Sequence, residues 1–162
     1  MDLTIIAAVS ENDIIGINGS LPWRIKEDIK RFKEITLNHP IIMGRNTYKS
    51  IPEKFRPLTD RKNIILSTIL KPESGIYIAR TVEEAIQLAE GEDTFIAGGK
   101  KVYELFLPLS TRMELTRIHK FYNGDTNFPE VKWNDWTLLS RGDYLAADGL
   151  PYSFLTYERE KK

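Results

Sequence analysis

The sequence predicts an α/β fold, and two observations carry that prediction. Short apolar runs that do not alternate strictly with polar residues occupy residues 3–9, 41–43, 63–66, 76–79 and 95–97. Such runs are typical of strands that are buried on both faces of a sheet. Helical patterns lie between them at residues 26–37, 47–50, 82–89 and 100–107. This alternation indicates parallel strands joined by crossover helices.

The element boundaries carry their own signals. Thr81 and Glu84 have the spacing of a capping box at the start of one helix, and Pro108 follows the end of another. After Pro108, three strand patterns at residues 112–119, 136–140 and 153–160 have no helices between them. We therefore expect the sheet to finish antiparallel. Because no linker or repeat divides the chain, residues 1–162 are expected to form a single domain.

The composition excludes several classes of protein. The 23 basic residues balance the 23 acidic ones, so no overall field would attract nucleic acid or an anionic membrane. No apolar run reaches the roughly 20 residues that span a bilayer, and no signal-peptide pattern begins the chain, so we expect a cytoplasmic protein. There is no cysteine, and His39 and His119 lack metal-binding spacing. We expect neither thiol chemistry nor a metal site.

The first predicted helix carries one carboxylate on its apolar face. At about 100° per residue, Asp28 falls within the same arc as Ile25, Ile29 and Phe32, while the other charged residues, Arg31 included, fall on the opposite side. A buried carboxylate is costly unless it is paired. Its partner is either a protein group or a ligand, and the helix alone favours the protein group.

The loop before this helix has unusually large apolar side chains. Gly16, Gly19 and Pro22 punctuate a stretch that carries Leu21 and Trp23. Loops of this kind often act as lids, although the same side chains can simply pin a loop to the core. A lid beside a buried carboxylate favours the ligand.

Two strand-to-helix turns have the features of phosphate sites. Residues 44–47 read Gly-Arg-Asn-Thr and residues 98–101 read Gly-Gly-Lys-Lys, which places backbone N–H groups and positive charge at a helix start. Either alone can be only a tight turn, but two in one small domain suggest a dinucleotide. The Rossmann fingerprint is absent. Ser67, Thr68 and Arg80 follow neighbouring strands and favour NADPH over NADH, with scattered surface polarity as the alternative.

These features combine into a resemblance that covers essentially the full chain. It rests on residues 15–16, 21–23, 28 with 32, 36–40, 43–47, 51–58, 61–63, 98–99 with 102–103, and 124–126. In these stretches the chain resembles a bacterial, chromosomal-type dihydrofolate reductase. The resemblance implies an eight-stranded, mostly parallel sheet with an antiparallel C-terminal strand and four flanking helices. We also expect a monomer.

The activity that the resemblance implies is NADPH-dependent reduction of 7,8-dihydrofolate to 5,6,7,8-tetrahydrofolate. Hydride would go to C6 and a proton to N5, and the product would supply one-carbon metabolism. Antifolate inhibitors would bind in the same cleft. The resemblance assigns catalytic duty to Leu21, Trp23, Asp28, Tyr103 and Thr116.

Site residues carry over position by position. Asp28 would bind the 2-amino group and N3 of the pterin, Thr116 would support it through water, and Arg61 would take the carboxylate of the glutamate tail. The implied substrate-binding residues are Ile6, Ala8, Leu21, Asp28, Phe32, Ser50, Ile51, Leu58, Arg61 and Thr116. The implied cofactor-binding residues are Ala8, Ile15, Gly16, Asn18, Gly44, Arg45, Asn46, Thr47, Leu66, Ser67, Thr68, Arg80, Ala97, Gly98, Gly99, Lys100, Lys101, Val102, Tyr103 and Thr126.

The implied geometry places Asp28 on the far side of the pterin from N5. We therefore predict that Asp28 binds and polarises the ring while water, admitted past the Leu21 lid, delivers the proton. Two alternatives remain. A reductase of another heterocycle would keep the cofactor residues without the Asp28, Phe32 and Arg61 set. A non-catalytic pterin-binding protein would keep the cleft without the phosphate cluster.

Overall fold

The structure is a computed structural model that describes residues 1–161. Its strands and α-helices are, in chain order, β1 (Leu3–Ser10), β2 (Ile14–Gly16), α1 (Lys26–Thr36), β3 (Pro40–Gly44), α2 (Arg45–Ser50), β4 (Lys62–Leu66), β5 (Ile76–Ala79), α3 (Val82–Leu88), β6 (Thr94–Ile96), α4 (Lys100–Phe106), β7 (Arg112–Ile118), β8 (Thr126–Asn127), β9 (Trp136–Leu145) and β10 (Pro151–Arg159). Short 3-10 helices occupy Glu53–Phe55, Leu107–Leu109 and Trp133–Asp135.

The main sheet has eight strands in the order β5-β4-β3-β6-β1-β7-β10-β9. Pairing is parallel from β5 through β7 and antiparallel where β10 joins β7 and β9. The predicted α/β class, with four helices and an antiparallel end, is therefore confirmed. No helix among residues 1–161 is long and apolar enough to cross a membrane.

Two features of the sheet go beyond the sequence prediction. The last hairpin is longer than predicted, because β9 continues to Leu145 and pairs with β10 along its length. Most of β9 is exposed at the edge of the sheet, so hydrophobic periodicity does not mark its second half. In addition, β2 and β8 form a small antiparallel pair between distant loops.

The parallel strands are buried on both faces, which explains their unbroken apolar runs. Ile42 and Ile64 belong to the cluster that α3 and α4 cover, whereas Ile41, Met43 and Ile65 belong to a second cluster on the other face. Successive side chains of a strand point to opposite faces, so both faces of the sheet must be covered.

The predicted cap of α3 is present. The Thr81 side chain accepts a hydrogen bond from the Glu84 backbone N–H at 3.1 Å. The Glu84 carboxylate accepts from the backbone N–H of Arg80 at 2.8 Å, one residue earlier than a capping box requires. This contact holds the backbone of Arg80 at the carboxyl end of β5.

Candidate active site

An open cleft of about 1460 Å³ crosses the carboxyl ends of the parallel strands. Its walls include Ala8 on β1, Gly44 at the end of β3, Leu66 at the end of β4, Ala97 just after β6 and Thr116 on β7. Ligands of open α/β sheets bind at this edge, because the connecting turns there expose backbone groups and side chains to a common space. The cleft is therefore the candidate active site.

Asp28 lies in the first turn of α1 and faces the cleft. Its side chain is half-buried, and Oδ1 accepts a hydrogen bond from the Thr116 hydroxyl at 2.5 Å. This hydrogen bond joins Thr116 directly to Asp28, and support of the pterin contact by Thr116 through water stays a prediction. Burial raises the pKa of the Asp28 carboxyl, whereas the Thr116 hydrogen bond and the positive charge of Arg31 oppose that rise.

Arg31 corrects the prediction that every other charge on α1 points away from the cleft. Its side chain lines the cleft and is only 23% exposed. Nη2 lies 2.8 Å from Oε2 of Glu114 on β7, and the guanidinium lies 4.4 Å from the centroid of the Phe154 ring. The long arginine stem lets the charge turn back toward the sheet, which helical phase does not capture.

The lid predicted upstream of α1 forms one rim of the cleft. Gly16, Ser20 and Leu21 line it, and the Leu21 side chain is 51% exposed. The backbone groups of Ile17 and Ser20 exchange hydrogen bonds of 2.8 and 2.9 Å, which closes the loop tip on itself. Asn18 does not line the cleft, and its backbone N–H donates to Oδ2 of Asp125 at 2.9 Å. This contact anchors the lid at Asn18, and the predicted contact of Asn18 with a cofactor stays a prediction.

Trp23 connects the lid to the core. It packs in a cluster with Ile25, Ile118 and Tyr152, and it also lines the cleft. Within residues 1–161, its indole Nε1 is a buried side-chain nitrogen without a hydrogen-bond partner. A buried donor of this kind usually has a water or ligand partner, so the indole N–H is available to one in the cleft.

Tyr103 supports the floor of the cleft. Its hydroxyl donates to the Ile6 backbone carbonyl at 2.7 Å, and burial together with the negative charge of Asp28 raises its pKa. The hydroxyl proton is therefore committed to Ile6 and is not available for transfer to a substrate. The phenol instead fixes α4 against β1.

The two glycine turns meet at the centre of the cleft. The Gly44 backbone N–H donates to the Gly98 carbonyl at 2.8 Å, and the peptide bond between Gly98 and Gly99 is cis. A Cβ at Gly98, where φ is +103°, would lie 3.1 Å from the Tyr103 ring, and one at Gly44 would lie 3.2 Å from Val102. A side chain would be strained at Gly98 and would crowd Val102 at Gly44. Without side chains at these positions, a ligand can approach the backbone closely.

Polar groups gather at the β4 and β5 end of the cleft, where the sequence predicts an extra phosphate. Arg80 donates to the backbone carbonyls of Ser67 and Leu70 at 2.7 and 2.9 Å. Ser67, Thr68 and Arg80 line the cleft together with the basic residues Arg45, Lys100 and Lys101. This collection of donors suits phosphate groups.

Most predicted site residues come together in this cleft. The lining includes all of them except Asn18, Ile51, Leu58, Arg61 and Gly98. Ile51 and Leu58 are half-buried and pack, as Phe32 does, against the second core cluster. Arg61 lies beside the C-terminal end of α1 and donates to Thr36 Oγ1 at 3.2 Å and to the Thr59 carbonyl at 2.9 Å. Gly98 reaches the site through its backbone contact with Gly44.

Several lining residues were not predicted from the sequence. They are Ala7, Gly19, Ser20, Arg24, Ile25, Ile29, Arg31, Ile69, Thr81, Val82 and Leu105. Ile29 belongs to the predicted apolar face of α1, but its side chain is 51% exposed because it faces the open cleft. Arg31 lies one helical turn from Asp28, and that spacing could have marked it. Among residues 1–161, no group of three or more His, Asp or Glu side chains could hold a metal ion.

The fold and the cleft define an α/β enzyme with a nucleotide-binding site, and comparison with known proteins defines it further. The profile of the family described as Dihydrofolate reductase matches residues 2–159. The chain is 38% identical over 166 residues to dihydrofolate reductase HdrB of Haloferax volcanii, with 97% of this chain and 83% of that protein aligned. It is 35% identical over 162 residues to the dihydrofolate reductase of Bacillus subtilis, covering 98% of this chain and 95% of that protein.

A solved structure agrees with these relatives. The dihydrofolate reductase from Enterococcus faecalis, complexed with NADP(H) and RAB-propyl, superimposes with a TM-score of 0.89 at 30% identity. The match covers 99% of this chain and 97% of that one. The chain belongs to the dihydrofolate reductase family.

Proposed function

We propose that the protein reduces 7,8-dihydrofolate to 5,6,7,8-tetrahydrofolate, with hydride transfer to C6 and protonation of N5. Family membership supports the activity, and the enzyme is an NADPH-dependent dihydrofolate reductase. The observation that carries the residue-level proposal is the half-buried Asp28 carboxylate in the cleft, bonded to Thr116. The product would supply tetrahydrofolate to one-carbon metabolism.

Asp28 is proposed to bind the pterin ring. A carboxylate accepts several hydrogen bonds, so the Thr116 contact leaves capacity for the 2-amino group and N3 of the substrate. Both would be charge-assisted bonds, which are stronger than neutral ones. Ile6, Ala8 and Phe32 supply the apolar walls beside the carboxylate.

Arg61 is proposed to bind the glutamate tail of the substrate. Its guanidinium is oriented by Thr36, whose own hydroxyl donates to the Phe32 carbonyl at 2.7 Å. A planar guanidinium in a fixed orientation suits a carboxylate. Phe32 lines the cleft, so these two hydrogen bonds connect Arg61 to a residue of the cleft wall, which supports the proposal.

Water is proposed to deliver the proton to N5. The Tyr103 hydroxyl is committed to Ile6, which leaves no proton there for transfer. Trp23 lines the cleft and its buried indole N–H has no hydrogen-bond partner among residues 1–161, and Leu21 is exposed at the lid. A water held by Trp23 and admitted past Leu21 would reach the ring while Asp28 polarises it.

The residues fit an NADPH cofactor. NADPH would supply the hydride when bound. The close backbone approach at Gly44 and Gly98 suits a pyrophosphate, and Arg45, Ser67, Thr68 and Arg80 suit the additional phosphate of the adenosine ribose. Ala8, Ile15 and Ala97 provide apolar surface for the nicotinamide end.

We also propose that residues 1–162 form one domain, that the protein is a monomer and that it acts in the cytoplasm. The continuous eight-stranded sheet supports one domain. Light scattering after size exclusion should give the chain mass of 18.7 kDa. Antifolates are proposed to bind the Asp28 end of the cleft.

The test is to replace Asp28 with Asn. In single-turnover experiments that follow NADPH absorbance after mixing with dihydrofolate, Asp28→Asn should lower the hydride-transfer rate at neutral pH by about 10²- to 10⁴-fold. The loss should shrink at low pH, where substrate in solution is already protonated. Glu27→Gln is the matched control, because Glu27 precedes Asp28 on α1 and is exposed. A wild-type rate in the Asp28→Asn variant at neutral pH would contradict the assignment.

A further inference from the structure

Two polar pairs join α1 to β7. The Thr116 hydroxyl donates to Asp28, and Arg31 forms an ion pair with Glu114 at 2.8 Å. Residues three apart on a helix share a face, and residues two apart on a strand share a face. The two pairs therefore form neighbouring rungs of one contact between helix and sheet. The proposed function assigns no role to the Arg31–Glu114 pair.

Glu114 and Arg31 are held rigidly. Glu114 Oε2 also accepts from the Thr156 hydroxyl at 2.7 Å, and its side chain is only 13% exposed. On β10, Thr156 pairs with Glu114 and Phe154 pairs with Thr116, so the ring under the Arg31 guanidinium belongs to the same ladder. A guanidinium fixed by a carboxylate and an aromatic face is a charge of defined position.

The charged and titratable groups around Asp28 come from several elements. They are Glu27 and Arg31 on α1, Glu114 on β7, Tyr103 on α4 and Tyr152 on β10, with Arg24 on the lid side of the cleft. Burial raises the pKa of both tyrosines, so they stay neutral. Arg24 is exposed and therefore screened by solvent. Arg31 is the half-buried positive charge of this set.

We propose that Arg31, held by Glu114, is a positioning residue of the reductase that sets the charge state of the Asp28–pterin pair. The proposal rests on the proposed function, in which Asp28 binds the substrate. A fixed positive charge beside Asp28 favours the ionised carboxylate and opposes a proton on the pair, whereas Glu114 offsets part of that field. The apparent pKa of hydride transfer belongs to the pair rather than to either group alone.

This role predicts opposite effects for the two partners. Arg31→Met keeps much of the packing on Phe154 but removes the positive charge, so the pair should hold its proton to higher pH. Glu114→Gln leaves the Arg31 charge without its negative partner, so the pair should lose its proton at lower pH. If the Arg31–Glu114 pair served only to join α1 to β7, both variants would lose stability. The pH dependence of hydride transfer would then not shift in opposite directions.

The experiment compares single-turnover hydride transfer, with NADPH and dihydrofolate, at mildly alkaline and mildly acidic pH. The ratio of the alkaline rate to the acidic rate should rise about three- to tenfold in Arg31→Met and fall by a similar factor in Glu114→Gln. Arg31→Lys should keep the wild-type ratio because it keeps the charge. Lys30→Met is the matched control, since the Lys30 side chain is 78% exposed on the same helix.

The outcomes separate the inference from the function on which it rests. No NADPH consumption by the wild type with dihydrofolate would overturn the proposed function and this inference with it. Wild-type turnover with unchanged ratios in Arg31→Met and Glu114→Gln, or with both ratios moving in one direction, would overturn the inference alone. If Arg31→Met does not fold, the fall expected in Glu114→Gln still decides the question.

Discussion

At the scale of a single residue, opposing physical effects act on the charge of Asp28. Burial in the cleft disfavours the charged carboxylate, while the Thr116 hydroxyl and the Arg31 guanidinium favour it, and burial is the largest of these effects on its pKa. The ionised Asp28 carboxylate is therefore less stable in the free protein than it would be in water. Hydrogen-bond donors on a bound pterin would offset that cost, and this would contribute to the affinity for the substrate.

The stability of the free protein should reveal this cost. Because the folded pKa of Asp28 is raised above its ordinary 3.8, the folded state keeps a proton that the unfolded chain has already released. The resulting stability is present below the ordinary pKa and is lost as pH rises through the raised value. Asp28→Asn, which never ionises, should therefore have a higher Tm than the wild type at neutral pH.

Thermal unfolding of the ligand-free protein at neutral pH and at about pH 4 measures this difference. The gain in Tm should shrink at the acidic pH, because the raised pKa lets the folded wild type hold more of the Asp28 proton there. Glu27→Gln should show no such gain at neutral pH. An Asp28→Asn variant with a lower Tm at neutral pH would contradict the prediction.

At the scale of elements, the lid is held to the β2–β8 region by one carboxylate. Asp125 accepts from the Asn18 backbone N–H at 2.9 Å and from Thr126 Oγ1 at 2.8 Å, and its own N–H donates to the Gly16 carbonyl at 3.1 Å. These contacts fix both the entry to the lid and its tip. They are exposed, so each contributes modestly.

Asp125→Ala should loosen the lid without touching the cleft chemistry. We expect hydride transfer to slow by about two- to fivefold, the scale of one exposed charged contact. The thermal stability should change little, because the contacts lie outside the core clusters. Single-turnover kinetics provides the measurement, and Glu130→Ala, at an exposed carboxylate just after β8, is the control. Equal rates in all three proteins would remove Asp125 from the lid mechanism.

At the scale of the whole molecule, the cleft links the ends of strands that are far apart in sequence. Cofactor contacts are proposed on the turns after β3, β4, β5 and β6, so NADPH would bind only the folded arrangement. A ligand that binds only the native state stabilises it by mass action. The effect is about 2.7 kcal/mol at a concentration of roughly 100 times Kd.

Arg80 provides the variant that tests this linkage. Arg80→Gln should weaken NADPH binding roughly tenfold, the scale of one charge-assisted contact, while NADH binding should change little because NADH lacks the extra phosphate. The NADPH-dependent rise in Tm should shrink accordingly at a fixed cofactor concentration. Lys71→Gln, an exposed change outside the cleft lining, is the control. An equal loss of NADH and NADPH affinity in Arg80→Gln would contradict the assignment.

The sequence by itself determined the α/β class, the order of the main elements and the anomaly of Asp28. These are local properties, because hydrophobic periodicity reports which residues of one segment are buried and glycine turns report where a strand ends. The resemblance in its motifs then supplied the activity and most of the cleft lining.

Tertiary structure decided which distant groups meet. It turned Arg31 toward Glu114, brought Thr116 directly onto Asp28, bonded Asn18 to Asp125 and extended β9 along β10. The physical reason is that one-dimensional patterns record whether a side chain is buried, whereas a polar partner is chosen by contacts between segments that only folding brings together. For Asp28, the sequence indicated that a charge would be buried, and the packing of α1 on β7 determined which groups surround it.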